Sequence, residues 1–83
     1  MEVEIKKEAK KALKALDGII RQQIADDILK LIHFPETAGV KRLKGKPIKY
    51  RLRSGDWRIV FSVDWEKNKL YVESIKHRRE VYK

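Results

Sequence analysis

Residues 48–63 read IKYRLRSGDWRIVFSV, and the period of this stretch decides the fold. Ile48, Tyr50 and Leu52 alternate with Lys49, Arg51 and Arg53. Ser54-Gly55-Asp56 is a turn signal, after which Trp57, Ile59, Phe61 and Val63 alternate with Arg58, Val60 and Ser62. Successive side chains of a strand point to opposite faces, so the stretch reads as a hairpin with one apolar and one basic face. Downstream, Trp65 to Lys69 contains Asn68 and turns the chain into a last strand, Leu70 to Ile75. Upstream, Thr37 to Pro47 reads as a connecting loop with Gly39 and Gly45. Before it, Ile20, Ile24, Ile28, Leu31 and Ile32 share one face of a helix that Asp17 can cap and that Pro35 ends shortly after His33. Ala9, Ala12, Leu13 and Leu16 form the apolar stripe of an earlier helix, and Val3 and Ile5 alternate with Glu2 and Glu4 as a short strand. The expected fold is α+β in the order β-α-α-β-β-β. An antiparallel sheet packs one face on a two-helix hairpin, with residues 1–83 as a single domain.

Composition narrows the chemistry. The 83 residues are 42% apolar, enough for a core despite 40% charged residues. The sequence holds no cysteine, which removes disulfides, thiolate-bound metals and thiol nucleophiles. No apolar run approaches the roughly 18 residues of a membrane span, and the acidic, apolar-poor start MEVEIKKEAKK does not fit a secretion signal; the expected location is cytoplasmic. Net charge is +9, and its distribution says more. Met1 to Glu36 carries seven Lys/Arg and seven Asp/Glu, whereas Thr37 to Lys83 carries fourteen and five. A basic half in so small a chain is the footprint of a polyanion binder.

If the apolar strand residues face the helices, Lys49, Arg51, Arg53 and Arg58 share the opposite surface. Cations crowded there repel one another unless an anion visits, while a hydrated face whose long side chains fan apart is the plainer alternative. The C-terminal Lys76-His77-Arg78-Arg79-Glu80-Val81-Tyr82-Lys83 adds guanidinium groups for phosphate, an imidazole that titrates near neutrality, and a phenol on which a base can stack. His33 reads as a helix C-terminal residue without chemistry. No Gly-rich phosphate loop, paired metal-binding histidines or Ser-His-Asp set is visible, and Asp56, Asp64 and Glu66 lack calcium-loop spacing. An enzyme built from these residues works without metal or cofactor.

The segment VKRLKGKPIKYRLRSGDWRIVFSV (40–63) followed by ESIKHRREVYK (73–83) resembles the RelE/ParE toxin superfamily of toxin–antitoxin systems. The likeness covers nearly the whole chain. Its most specific parts are Leu43-Lys44-Gly45, the Tyr50–Arg58 run and the closing His77-Arg78-x-Glu80-Val81-Tyr82. The resemblance implies a ribosome-dependent endoribonuclease that cuts messenger RNA in the A site, with a cognate antitoxin, the ribosome and messenger RNA as partners. It implies that Lys49, Arg51, Arg58, Arg78 (or Arg79), Tyr82 and His77 form the catalytic set, and that Lys44, Lys46, Arg53 and Arg79 hold RNA. Some relatives place a glutamate on the basic strand as general base; here Lys49 and Arg51 stand there. Some continue past the tyrosine into a further helix. A ParE-like inhibitor of DNA gyrase that cuts no RNA, and an inactive RNA-binding module, are the alternatives.

Cleavage by the RNA's own 2′-hydroxyl needs alignment, a proton acceptor, a proton donor and a sink for negative charge. On this reading Lys49, crowded by Arg51 and Arg58, is the base. Arg58 and Arg78 hold the non-bridging oxygens, Tyr82 orients a nucleobase, and His77 or a second lysine protonates the leaving oxygen. Arg58→Ala is expected to abolish cleavage with the fold intact. The scarcity of amides (Gln22, Gln23 and Asn68) beside abundant Lys, Arg and Glu matches a composition found in thermophiles.

Overall fold

A computed structural model describes residues 1–81. The elements are β1 (Glu2–Ile5), α1 (Lys7–Lys14), α2 (Gly18–Leu29), a 3₁₀ turn (Lys30–His33), β2 (Val40–Arg42), β3 (Tyr50–Ser54), β4 (Trp57–Asp64), β5 (Lys69–His77) and α3 (Arg78–Val81). The five strands form one sheet in the order β1-β5-β4-β3-β2.

Three features depart from the sequence reading. The sheet is mixed, because β1 lies parallel to β5, with Val3 beside Leu70 and Ile5 beside Val72. Part of the expected 37–47 loop is β2, an edge strand that pairs Val40 with Leu52 and Lys41 with Arg51. The three residues of this strand are too few to display a period, so tertiary pairing alone defines it. The last strand runs on to His77 and leads directly into α3.

The helices follow their apolar stripes. Asp17 caps α2 as expected, its Oδ1 accepting the Ile20 amide at 3.2 Å. Ile24, Ile28 and Leu31 are buried, but Ile32 is 46% exposed. The tighter winding of the 3₁₀ turn at Lys30–His33 rotates Ile32 off the face that the α-helical period assigned to it. Ala9 of α1 and Ile24 and Ile28 of α2 meet Leu52, Ile59, Phe61, Leu70, Val72 and Ile75 of the sheet in a single core. Phe61 is fully buried at its centre, and Phe34 meets it edge-on with ring centroids 5.2 Å apart. Burying one such side chain contributes about 1.5–3 kcal/mol.

The β3–β4 turn is fixed by Gly55, whose φ of +58° is a left-handed conformation. A Cβ there would lie 2.7 Å from Gln23 Nε2. That same amide donates to Ser54 Oγ at 3.3 Å, tying α2 to the turn.

Candidate nucleic-acid interface

The helices cover one face of the sheet. On the other face, cross-strand register arranges side chains in rows. One row is Arg53, Arg58 and Lys76, from β3, β4 and β5. The next is Lys41, Arg51, Val60 and Ser74, from β2 to β5. Neighbouring strands are about 4.8 Å apart, so each row sets its cations at adjacent positions across the sheet. Among the described residues, no carboxylate pairs with Arg51, Arg53, Arg58 or Lys76.

Arg58 is only 5% exposed. Its Nη1 donates to the carbonyls of Gly55 at 2.9 Å and Trp57 at 3.0 Å. Its Nε, like that of Arg51, is buried and has no hydrogen-bond partner in the structure. The turn contacts also revise the expectation for Arg58→Ala, because that change removes two hydrogen bonds bracing the Gly55 turn.

The third part of the face is built by an irregularity. Register slips between Val60 and Phe61, so Val60 faces Ser74 while Phe61 faces Val72. Glu73 is the extra residue of a β-bulge. Without the bulge, strict alternation from Leu70 would turn Ser74 and Lys76 toward the helices and His77 outward. With it, Glu73 and Ser74 both reach the open face, Lys76 joins Arg58, and His77 turns toward the helix side.

Glu73 Oε1 accepts a hydrogen bond from Lys49 Nζ at 3.1 Å across β4. Burial pushes the Glu73 carboxyl upward, but hydrogen bonds from Ser62 and Lys49 and the charges of Lys49 and Lys6 outweigh it, leaving it below its ordinary value of 4.5. An open groove of about 870 Å³ runs beside this pair, lined in part by Glu4, Lys6, Lys49, Glu73, Ser74 and Lys76.

The other candidates divide. Lys44 and Lys46 lie exposed on the loop that closes through the Leu43 amide and the Lys49 carbonyl at 2.8 Å. Arg78 is anchored at the turn that also holds Arg58, its amide donating to the Asp56 carbonyl at 2.7 Å and its guanidinium 3.8 Å from the Asp56 carboxylate. Arg79 is exposed, and its amide donates to His77 Nδ1 at 3.3 Å. His77 is paired with Trp57, and their rings meet edge-to-face 5.2 Å apart. The structure therefore places His77 on the opposite side of the sheet from Lys49, Arg51 and Arg58. Tyr82 lies outside the described residues.

This sequence also matches a family model. The match is to the ParE toxin of the type II toxin–antitoxin system parDE, and it runs over residues 3–82. The chain belongs to that family, within the RelE/ParE superfamily.

The fold of this toxin is that of solved RelE proteins. It is 29% identical to RelE in the archaeal RelE–RelB complex of Pyrococcus horikoshii OT3, with a TM-score of 0.78 and 93% of each chain covered. It is also 29% identical to the isolated E. coli RelE toxin, with a TM-score of 0.72, covering 98% of this chain and 89% of that one. The toxin of the RelBE2 complex from Mycobacterium tuberculosis shares the fold at 18% identity and a TM-score of 0.79, with 93% of this chain and 96% of that chain covered. No curated protein matches in sequence. Among the described residues, no helix of the toxin is long and apolar enough to cross a membrane, and no three His, Cys, Asp or Glu side chains gather as a metal site.

The structure adds Lys76, Lys41 and Glu73 to the face predicted from sequence. A signal for two of them was present. Glu73-Ser74 are two consecutive polar residues between Val72 and Ile75, and an alternating strand can accommodate that pattern only with a bulge.

Proposed function

We propose that this toxin is a ribosome-dependent endoribonuclease that cuts messenger RNA in the A site by attack of the 2′-hydroxyl on the adjacent phosphorus, and so arrests translation in the cytoplasm. The observation that carries this reading is the Arg53–Arg58–Lys76 row beside Arg51, four cations that no carboxylate among the described residues pairs. A phosphodiester in its negatively charged transition state supplies the missing anion, and fixed cations stabilise the charge as it grows. Arg58 is held in place by the turn. Arg78 stands at the same turn, and Arg53, Arg79, Lys44 and Lys46 extend the contact to the RNA backbone. Tyr82 supplies the stacking surface for a base.

The role first given to Lys49 needs an ammonium crowded only by cations. Its nearest charge is instead the Glu73 carboxylate, so Lys49 acts as a cation next to the phosphate. A proton acceptor must then come from elsewhere.

A cognate antitoxin is the proposed protein partner, by likeness to the RelE–RelB complexes. An acidic or amphipathic helical segment fits a face this basic. Primer extension on ribosomes programmed with a defined messenger RNA tests the reading; discrete cuts in the A-site codon are expected. Because the matching family carries the name ParE, the same preparation is assayed for inhibition of gyrase supercoiling. Inhibition without cuts would establish the gyrase reading, and neither activity would leave an RNA-binding module.

A further inference from the structure

We propose that Glu73 is the proton acceptor of the cleavage reaction, a role that rests on the endoribonuclease reading above. The chemistry requires a group that takes the 2′-hydroxyl proton within reach of a bound phosphate. The open face of the sheet presents several carboxylates, but they are not equivalent. Glu2 and Glu4 sit at the β1 edge against Lys69, at 4.0 and 3.0 Å. Glu73 is the one that the bulge delivers next to Ser74 and Lys76, beside the cation rows.

Its surroundings suit the role. Lys49, just before β3, donates to it at 3.1 Å, and Ser62 of β4 and Lys6, at the start of α1, also favour its ionised form. The Glu73 side chain remains 22% exposed and lines the open groove. Those partners hold the carboxyl in its ionised form, ready to accept a proton, while lowering its basicity.

In the proposed step, a Glu73 Oε takes the proton of the 2′-hydroxyl while the O2′–P bond forms. The P–O5′ bond breaks, and the leaving oxygen takes a proton from the Lys76 ammonium. The products are a 2′,3′-cyclic phosphate and a free 5′-hydroxyl, and the protein exchanges the two protons with water.

The test is single-turnover cleavage on programmed ribosomes by the whole chain, wild type against Glu73→Gln and Glu2→Gln, at several pH values. The wild-type rate is expected to be level between about pH 6 and 8, because the acceptor is already ionised. Glu73→Gln is expected to be about 100-fold slower at pH 7, with a rate rising about tenfold per pH unit as hydroxide replaces the lost acceptor. Its protection of the A-site codon from chemical probes is expected to match that of the wild type. Glu2→Gln is expected to stay within about threefold of wild type. Three results would overturn the proposal: Glu73→Gln close to the wild-type rate, Glu73→Gln slow but with a level pH profile, or an equal loss in Glu2→Gln. The level profile would mean that Glu73 only holds Lys49 in place. If Glu73→Gln does not fold, Glu73→Asp decides: a loss of about tenfold or more is expected from the shorter reach, and a wild-type rate would overturn the assignment. Absence of cleavage by the wild-type toxin is a separate result, which overturns the endoribonuclease reading itself.

Discussion

The two ends of the open sheet face carry similar side chains to opposite effect. At the β1 edge, Lys69 lies 3.0 Å from Glu4 and 4.0 Å from Glu2, and Lys6 and Lys69 each approach the Tyr71 ring at 5.4 Å. At the β3–β4 end, Arg51, Arg53, Arg58 and Lys76 occupy neighbouring register positions and form no ion pair among the described residues. Charge at the first end is neutralised within the protein. Charge at the second has no such partner among the described residues, which is the basis for proposing RNA contact there.

Disturbing the β3–β4 end should have the largest consequences. Arg58→Ala is expected to slow A-site cleavage by about 100- to 1,000-fold, read by primer extension, because a fixed cation is lost from the transition state. It is also expected to lower stability by about 1–3 kcal/mol in a urea titration, since the Gly55 and Trp57 carbonyls lose their donor. Arg58→Lys retains the charge without the planar fork and should recover only part of either loss. Gly55→Ala follows, destabilising the fold by about 1–3 kcal/mol through the left-handed backbone and the close approach of Gln23. Arg53→Ala removes an exposed cation. It should weaken binding to single-stranded RNA of any sequence and reduce the slope of log affinity against log salt by about 0.7, measured by fluorescence anisotropy.

Between the two ends, Glu73 predicts a pH effect. Its folded pKa lies below the ordinary 4.5, so its stabilising contribution is full above that value and is lost as the pH falls through the folded value. The stability difference between wild type and Glu73→Gln should therefore be constant near neutrality and shrink below about pH 4.5, followed by thermal melts. The smallest effect is expected at the β1 edge. The Lys69 pKa is raised by its hydrogen bond to Glu4, against some desolvation and with help from nearby acids, so its contribution persists until the pH rises through that value. The Lys69 partners Glu2 and Glu4 are exposed, so Lys69→Ala should leave both the melting temperature and any cleavage near wild type. A large effect from Lys69 and a small one from Arg58 would reverse the comparison.

The sequence showed the hairpin, its basic face and the capped helix directly, because each rests on an unbroken period: Tyr50 to Leu52, Trp57 to Val63, Ile20 to Ile28. It failed where a period is short or interrupted. Val40–Arg42 is too brief to announce itself, and the parallel pairing of β1 with β5 joins residues almost a chain length apart. Candidate site residues followed the same division. Arg51, Arg53 and Arg58 fall on one surface, as their spacing requires. His77 and Lys76 exchange the sides that plain alternation would give them, because one extra residue lies upstream.

That extra residue can be lost without turning the strand over. Deleting Glu73 or Ser74 would leave one polar residue between Val72 and Ile75, and plain alternation would then keep Ile75 inward, Lys76 outward and His77 inward. A deletion between Leu70 and Val72 has no such slack and would shift every later side chain to the other face. A single-residue deletion scan across β5 should therefore spare positions 73 and 74 and be most damaging at their neighbours.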